Sequence, residues 1–200
     1  MFLALVLVLC YHVRVRVSIK YMVWEKDVYM NRYTDLEFER IISPVLEIEE
    51  FNQLKFITHH GITRYDHSMR VAYLSYKVCK ALHLDYKEVT IAALLHDFFL
   101  DEVEHENNAN KLRLHPGYAV KNASKYFDLT EKQVDIISTH MFPVTFTPPK
   151  YIESWIVDFV DDIAALYEKG YCMHRELRTS MFLFMFLVCL LYTSPSPRDA

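Results

Sequence analysis

From Thr34 to about Glu176 the apolar residues recur every three or four positions, and polar or proline-rich breaks divide the pattern into six helical segments. The first covers about 35–55, with Leu36, Phe38, Ile41, Ile42, Val45 and Leu46 at helical spacing and Pro44 expected to bend it. The second runs from about Asp66 to Leu82, with His67, Val71, Leu74 and Val78 on one face and Asp66 read as its N-cap. The third begins at Asp85, where Asp85 and Glu88 form a capping box, and continues to His96. Pro116 suits the first position of a fourth helix reaching Phe127. Thr130 and Gln133 cap a fifth, which ends near His140 before Pro143 and Pro148-Pro149. A sixth runs from about Tyr151 to Lys169. With no hairpin dipeptides and no alternation of strands and helices, the expected fold is an all-α bundle of about six core helices.

Composition narrows this reading. A chain of 200 residues, 52% hydrophobic, is long enough for one domain with a sizeable core. Three glycines and seven prolines are too few for a turn-rich β-sandwich, and a net charge of −4 gives no electrostatic case for binding nucleic acid. Cys10, Cys79, Cys172 and Cys189 lie far apart without C-x-x-C spacing. They support neither a disulfide framework nor a zinc ribbon, so a reducing cytoplasm is the expected location.

Both ends look foreign to the middle. FLALVLVLC (2–10) lacks a basic n-region and a cleavage site, and it falls well short of the roughly 20 apolar residues of a membrane span. Met22 or Met30 makes a more natural start, which leaves 1–29 as a doubtful extension. MFLFMFLVCLLY (181–192) is again too short to span comfortably and leads into TSPSPRDA, which resembles a translated library adapter. Residues 30–178 are therefore the expected domain, and 179–200 a non-native tail rather than a membrane anchor.

The candidate chemistry lies where the helices end. Of ten histidines, His67 opens the second predicted helix, His96-Asp97 closes the third, His115 opens the fourth and His140 closes the fifth. Asp158, Asp161 and Asp162 lie within the sixth, and helical phase does not separate them. A single histidine in an apolar setting is more often a hydrogen-bonded core residue than a ligand. Several at the ends of different helices can converge on one point, and imidazole with carboxylate suits Fe, Mn, Zn or Ni. The His96-Asp97 pair follows the apolar run IAALL, where unpaired buried charge is costly and a bound cation removes the cost.

The segments RYDHSMRVAYLSYKV, AALLHDFF, LHPGYAVKNA, IISTHMFP and SWIVDFVDDIAALYE occur in that order. Together they resemble the HD superfamily of metal-dependent phosphohydrolases, closest to small bacterial HD proteins, over about residues 34–176. The resemblance implies a compact HD-domain helical bundle. His67 matches the superfamily's first histidine, His96 and Asp97 its naming doublet, and Asp161 its closing aspartate. His115 and His140 match the extra histidines of HD proteins that hold two metals. The implied centre is binuclear and bridged by Asp97, with iron or manganese favoured and Zn, Ni or Co compatible with the same donors.

The implied activity is hydrolysis of a phosphomonoester, nucleotide or phosphodiester by metal-activated water, with His96 and Asp97 as catalytic residues and a small, nucleotide-like phosphorylated substrate. Arg64, in a stretch similar to that of HD triphosphohydrolases, is the first candidate for binding phosphate. Lys111 and Arg113, placed in a polar 101–114 loop, are weighed as lining the entrance against being solvated charges. The paired His59-His60 is read as structure or pocket wall, His83, His105 and His174 carry no functional weight, and MFPVTFTPP (141–149) is a stiffened loop that shapes a pocket or simply packs. Two rivals stand beside the hydrolase: a di-iron HD-type oxygenase, and a non-catalytic metal-binding regulatory module. The intact ligand set weighs against the second.

Overall fold

A computed structural model describes residues 35–59, 62–100, 106–170 and 173. The expectations for 1–29 and 179–200, and for His60, His105, His174, Cys10, Cys172 and Cys189, lie outside the described residues. The fold is all-α: α1 (Leu36–Leu46), α2 (Glu49–Gln53), α3 (Arg64–Ala81), α4 (Tyr86–Leu95), α5 (Asn108–Ala123), α6 (Glu131–Thr139) and a last helix, α7, over 152–170. No helix among the described residues is long and apolar enough to cross a membrane.

The centre of the bundle is α4. Val89, Ala92, Ala93, Leu94 and Leu95 are fully buried, and an element apolar around most of its circumference must be enclosed by its neighbours. It packs most extensively against α3, and also against α1, α5 and α6. One face of α1 (Phe38, Ile42, Val45) completes this core, and the Phe38 ring meets Tyr73 edge-on at 5.1 Å. Asp85 caps α4 through the Glu88 N–H, and the full Thr130–Gln133 capping box opens α6.

Three boundaries differ from the sequence reading. The first expected helix is two, turning at Glu47–Ile48. Pro44 has no N–H to offer the Arg40 carbonyl, and the Ser43 hydroxyl donates to that carbonyl instead, at 3.1 Å. Asn52 secures the corner by donating to the Leu46 and Ile48 carbonyls at 2.8 and 2.9 Å. Helix α3 starts at Arg64 because Thr63 is its N-cap, accepting from the Asp66 N–H at 3.1 Å, so Asp66 is the third helical residue rather than the cap. Helix α5 starts at Asn108, capped by Asn107, which accepts from the Asn110 N–H at 2.9 Å, so Pro116 lies inside it. A proline suits N1 and also survives further in, at the loss of one backbone hydrogen bond, and the asparagine cap decides between the two. Lys111, Arg113 and His115 therefore ride on a helix, not on or beside a loop.

A short antiparallel hairpin, Thr58–His59 with Ile62–Thr63, has no counterpart in the expected pattern; its two-residue strands are too short to show periodicity. His59 belongs to this ladder. His83 takes a left-handed φ of 58° and closes α3, with the Leu84 N–H bonding the Cys79 carbonyl at 2.9 Å, a place glycine usually fills.

Candidate metal centre

Five helices deliver six side chains to one buried point. His67 comes from the first turns of α3, and His96 is the C-cap of α4 with Asp97 beside it. His115 projects from within α5, His140 is the C-cap of α6, and Asp161 lies on the inner face of α7. All six are at least nine-tenths buried. They form three overlapping sets whose donor atoms lie within 4.8 Å of one another: His67, His96 and Asp97; His96, His140 and Asp161; Asp97, His115 and His140.

The histidine orientations are set by backbone. Nδ1 of His96 faces the Ala93 carbonyl at 2.7 Å, Nδ1 of His115 the Lys111 carbonyl at 2.8 Å, and Nδ1 of His140 the Ile137 carbonyl at 2.7 Å. A carbonyl only accepts, so Nδ1 of each ring carries a proton, and in the neutral rings of His115 and His140 the Nε2 lone pair points inward. Burial opposes charge on His96, but Asp97 and Asp161 beside it outweigh that and raise it. Nε2 of His115 and Nε2 of His140 are 2.9 Å apart. Burial, helped by the neighbouring His96 and His115, holds His140 down at about 3, so its ring is neutral. Burial also lowers His115. Two lone pairs face each other at hydrogen-bond distance with no proton between them, which is favourable only beside a cation. Nε2 of His96 is likewise buried without a hydrogen-bond partner, its nearest carboxylate oxygen being Asp161 Oδ1 at 3.5 Å. Asp97 Oδ1 stands 3.3 Å from His115 Nε2 and 3.8 Å from His140 Nε2, while its Oδ2 is 4.0 Å from His96 Nε2. The donor set fits divalent transition metals, and the central Asp97 touches both ends of the cluster.

On the other side, His67 is held between two carboxylates. Its Nε2 meets Asp161 Oδ1 at 2.7 Å and its Nδ1 donates to Glu168 Oε2 at 2.9 Å. Burial opposes charge on this ring, but the two carboxylates outweigh it and raise His67 to about 10. Burial would raise Asp161, yet His96 and His67 beside it hold its carboxyl well below the usual range. Glu168 is itself fully buried and paired with Arg70. A carboxylate behind a ligating histidine fixes the ring and raises its basicity. Sequence reasoning missed Glu168 and Arg70. The available signal is spacing: Glu168 follows Asp161 by seven residues, two helical turns on the same face.

The three aspartates of α7 are now distinct. Asp161 faces His67 and His96, and Asp162 is exposed. Asp158 is buried with Oδ1 lacking a hydrogen-bond partner, and burial, then the charge of Asp162, pushes its carboxyl up to about 7. The Arg64 guanidinium lies 3.6 Å over the Phe99 ring and donates to the Phe99 carbonyl at 2.6 Å; that ring sits 5.0 Å from the His115 imidazole. Lys111 is half-buried and supplies the carbonyl that orients His115. Arg113 is exposed, 6.0 Å from the centre of the Phe146 ring, beside a cleft lined also by Asn110, Leu114 and Thr145.

Among curated proteins and among solved structures, none matches the chain. The family model for the HD domain matches residues 64–166, just over half of the chain, a span that starts at the first residue of α3 and includes Asp161. The chain belongs to the HD domain family.

Proposed function

We propose that this protein is a metal-dependent phosphohydrolase acting on a small phosphorylated substrate, with His67, His96, Asp97, His115, His140 and Asp161 holding two divalent transition metals, iron or manganese by preference. The observation that carries this reading is the arrangement of His115 and His140, whose lone pairs converge at 2.9 Å while their protons are committed to backbone carbonyls. Membership of the HD family and the three overlapping donor sets support it. Bound metals would supply a water acidic enough to act as hydroxide near neutral pH and positive charge for the phosphate oxygens.

The chain's own part is orientation and exclusion of water. Backbone carbonyls aim three imidazoles, Glu168 aims the fourth, and Asp97, central to the cluster, would be the ligand shared by the metals. Arg64 positions Phe99 against the His115 ring and so keeps the wall of the site closed. Arg113 and Lys111 are the basic groups for the phosphorylated substrate, reached from the same helix as His115. A nucleotide-like substrate is favoured by Phe146: 78% exposed, held at a left-handed φ of 59° and faced by Arg113, it presents a flat ring where the α6–α7 loop meets α5. Action in the cytoplasm and a domain within 30–178 belong to the same reading.

Its test is metal content of protein purified with and without air, measured beside phosphate release from a panel of nucleotides, phosphomonoesters and phosphodiesters. About two metals per chain with release is the expected result. A loaded protein that releases phosphate from nothing overturns the hydrolase, and oxygen uptake in its place points to oxygenase chemistry.

A further inference from the structure

Helix α7 has two apolar faces, and the bundle uses one. Val157, Val160 and Ala164 enter the core, on the side that also carries Asp161 and Glu168. A second series, Ile152, Ile156, Phe159, Ile163 and Leu166, advances by alternating steps of four and three, and the same steps continue through Gly170 to Met173. At 100° per residue the two series are centred roughly 115–120° apart. Ile156 and Phe159 form its half-buried inner edge, Ile156 packing on the core, but among the described residues the rest is open: Ile152 is 60% exposed, Ile163 40%, Leu166 75% and Met173 60%. A 4–3 apolar repeat is the spacing by which one helix seats along another. A globular surface seldom leaves such a stripe open without a partner.

We infer that this stripe is a self-docking surface on which two copies of the chain pair through α7 in antiparallel orientation. Complementarity along the helix selects both the partner and the direction. An isologous contact needs a surface complementary to itself. When the helices run oppositely about a point between Ile163 and Leu166, Ile163 meets the partner's Leu166 and Ile156 meets the partner's Met173. Phe159 then meets the partner's Gly170, the large residue opposite the one without a side chain. A Cβ at Gly170 would meet nothing within 4 Å in the single chain, so the fold of the monomer does not demand glycine there. Along the flank of the stripe, Asp162 and Lys169 are both exposed. The same antiparallel register brings each Asp162 beside the partner's Lys169, twice over by symmetry, whereas a parallel pairing offers neither charge an opposite. The contact lies behind the helix that carries Asp161 and Glu168, so pairing would brace those two carboxylates without closing the centre.

The test is sedimentation of the full chain over a dilution series. The expected apparent mass rises toward twice the 23.8 kDa chain. Ile163→Glu with Leu166→Glu is expected to give a monomer at every concentration, with far-UV circular dichroism and metal content unchanged. Asp162→Lys alone and Lys169→Asp alone should each raise the dissociation constant about tenfold, because two attractive pairs become repulsive. Mixing the two single variants should recover association as a heterodimer, which a merely structural role would not produce. A chain that stays monomeric throughout overturns the inference, and so does a dimer indifferent to the stripe and charge variants. A monomer whose Tm falls with the stripe variants also overturns it, since the stripe would then be covered by the chain itself, residues 181–192 being the apolar segment to examine.

Discussion

Glu168 stands 2.9 Å from Nδ1 of His67, on the far side of the ring from Asp161, so a single histidine is clamped between two carboxylates of the same helix. The clamp ties α3 to α7 across the bundle, joining residues about a hundred positions apart in the chain. It also sets which nitrogen of His67 faces the centre. Glu168→Gln keeps the volume and removes the charge, and it is expected to weaken metal binding about 10- to 100-fold with the helical content kept. Glu168→Ala breaks a buried pair and should also destabilise the fold by about 3–5 kcal/mol. Metal titration followed by chemical denaturation separates the two effects.

His96→Ala and Asp97→Ala are each expected to abolish phosphate release while the circular dichroism of the bundle is largely retained. Both residues follow the buried C-terminal half of α4, and Asp97 lies near His96, His115 and His140 together. Full turnover in either variant would remove the proposed site.

Metal removal should lower Tm, and the difference should depend on pH. At a free metal concentration a hundred times its Kd the loaded protein gains about 2.7 kcal/mol, or roughly 5–11 °C for a chain of this size. In the metal-free protein the raised His67 contributes stability that is fully present below its ordinary value of 6.5 and is lost as pH rises through about 10. A metal must displace that proton, so affinity should fall with falling pH, and binding should release protons. Calorimetry in buffers of different ionisation enthalpy measures that release; an identical heat in every buffer would contradict the assignment of His67.

Cys79 is fully buried, and burial, with Glu153 nearby, pushes its thiol up to about 12. It should resist alkylation in the native protein and react only on unfolding. Peptide mapping after timed labelling reads this residue apart from the other three cysteines.

A chain trimmed to residues 30–178 is expected to fold and bind metal like the full chain, because every donor and every core residue described lies inside it. Matching thermal melts and metal content would support that boundary, and loss of folding would assign the end segments a structural part.

Sequence alone determined the helical class, the caps at Asp85 and Thr130, and the placing of His96, Asp97 and His140 at helix ends, because period and capping are local properties of a few consecutive residues. It also singled out the six side chains that meet at the centre, through the order of the HD motifs. It misplaced the starts of α3 and α5, where proline and aspartate each satisfy two positional rules and a neighbouring Thr63 or Asn107 makes the choice. It passed over Glu168, and helical phase by itself did not separate Asp161 from Asp158 and Asp162, since all four lie on one helix and the packing of α3 against α7 shows which carboxylates face His67. For Arg64, proposed from the linear chain as a phosphate ligand, the fold adds contacts with the ring and carbonyl of Phe99 that spacing does not show. Local order is written in spacing, whereas which side chain faces which is decided by contacts between distant segments, and those exist only once the helices have packed.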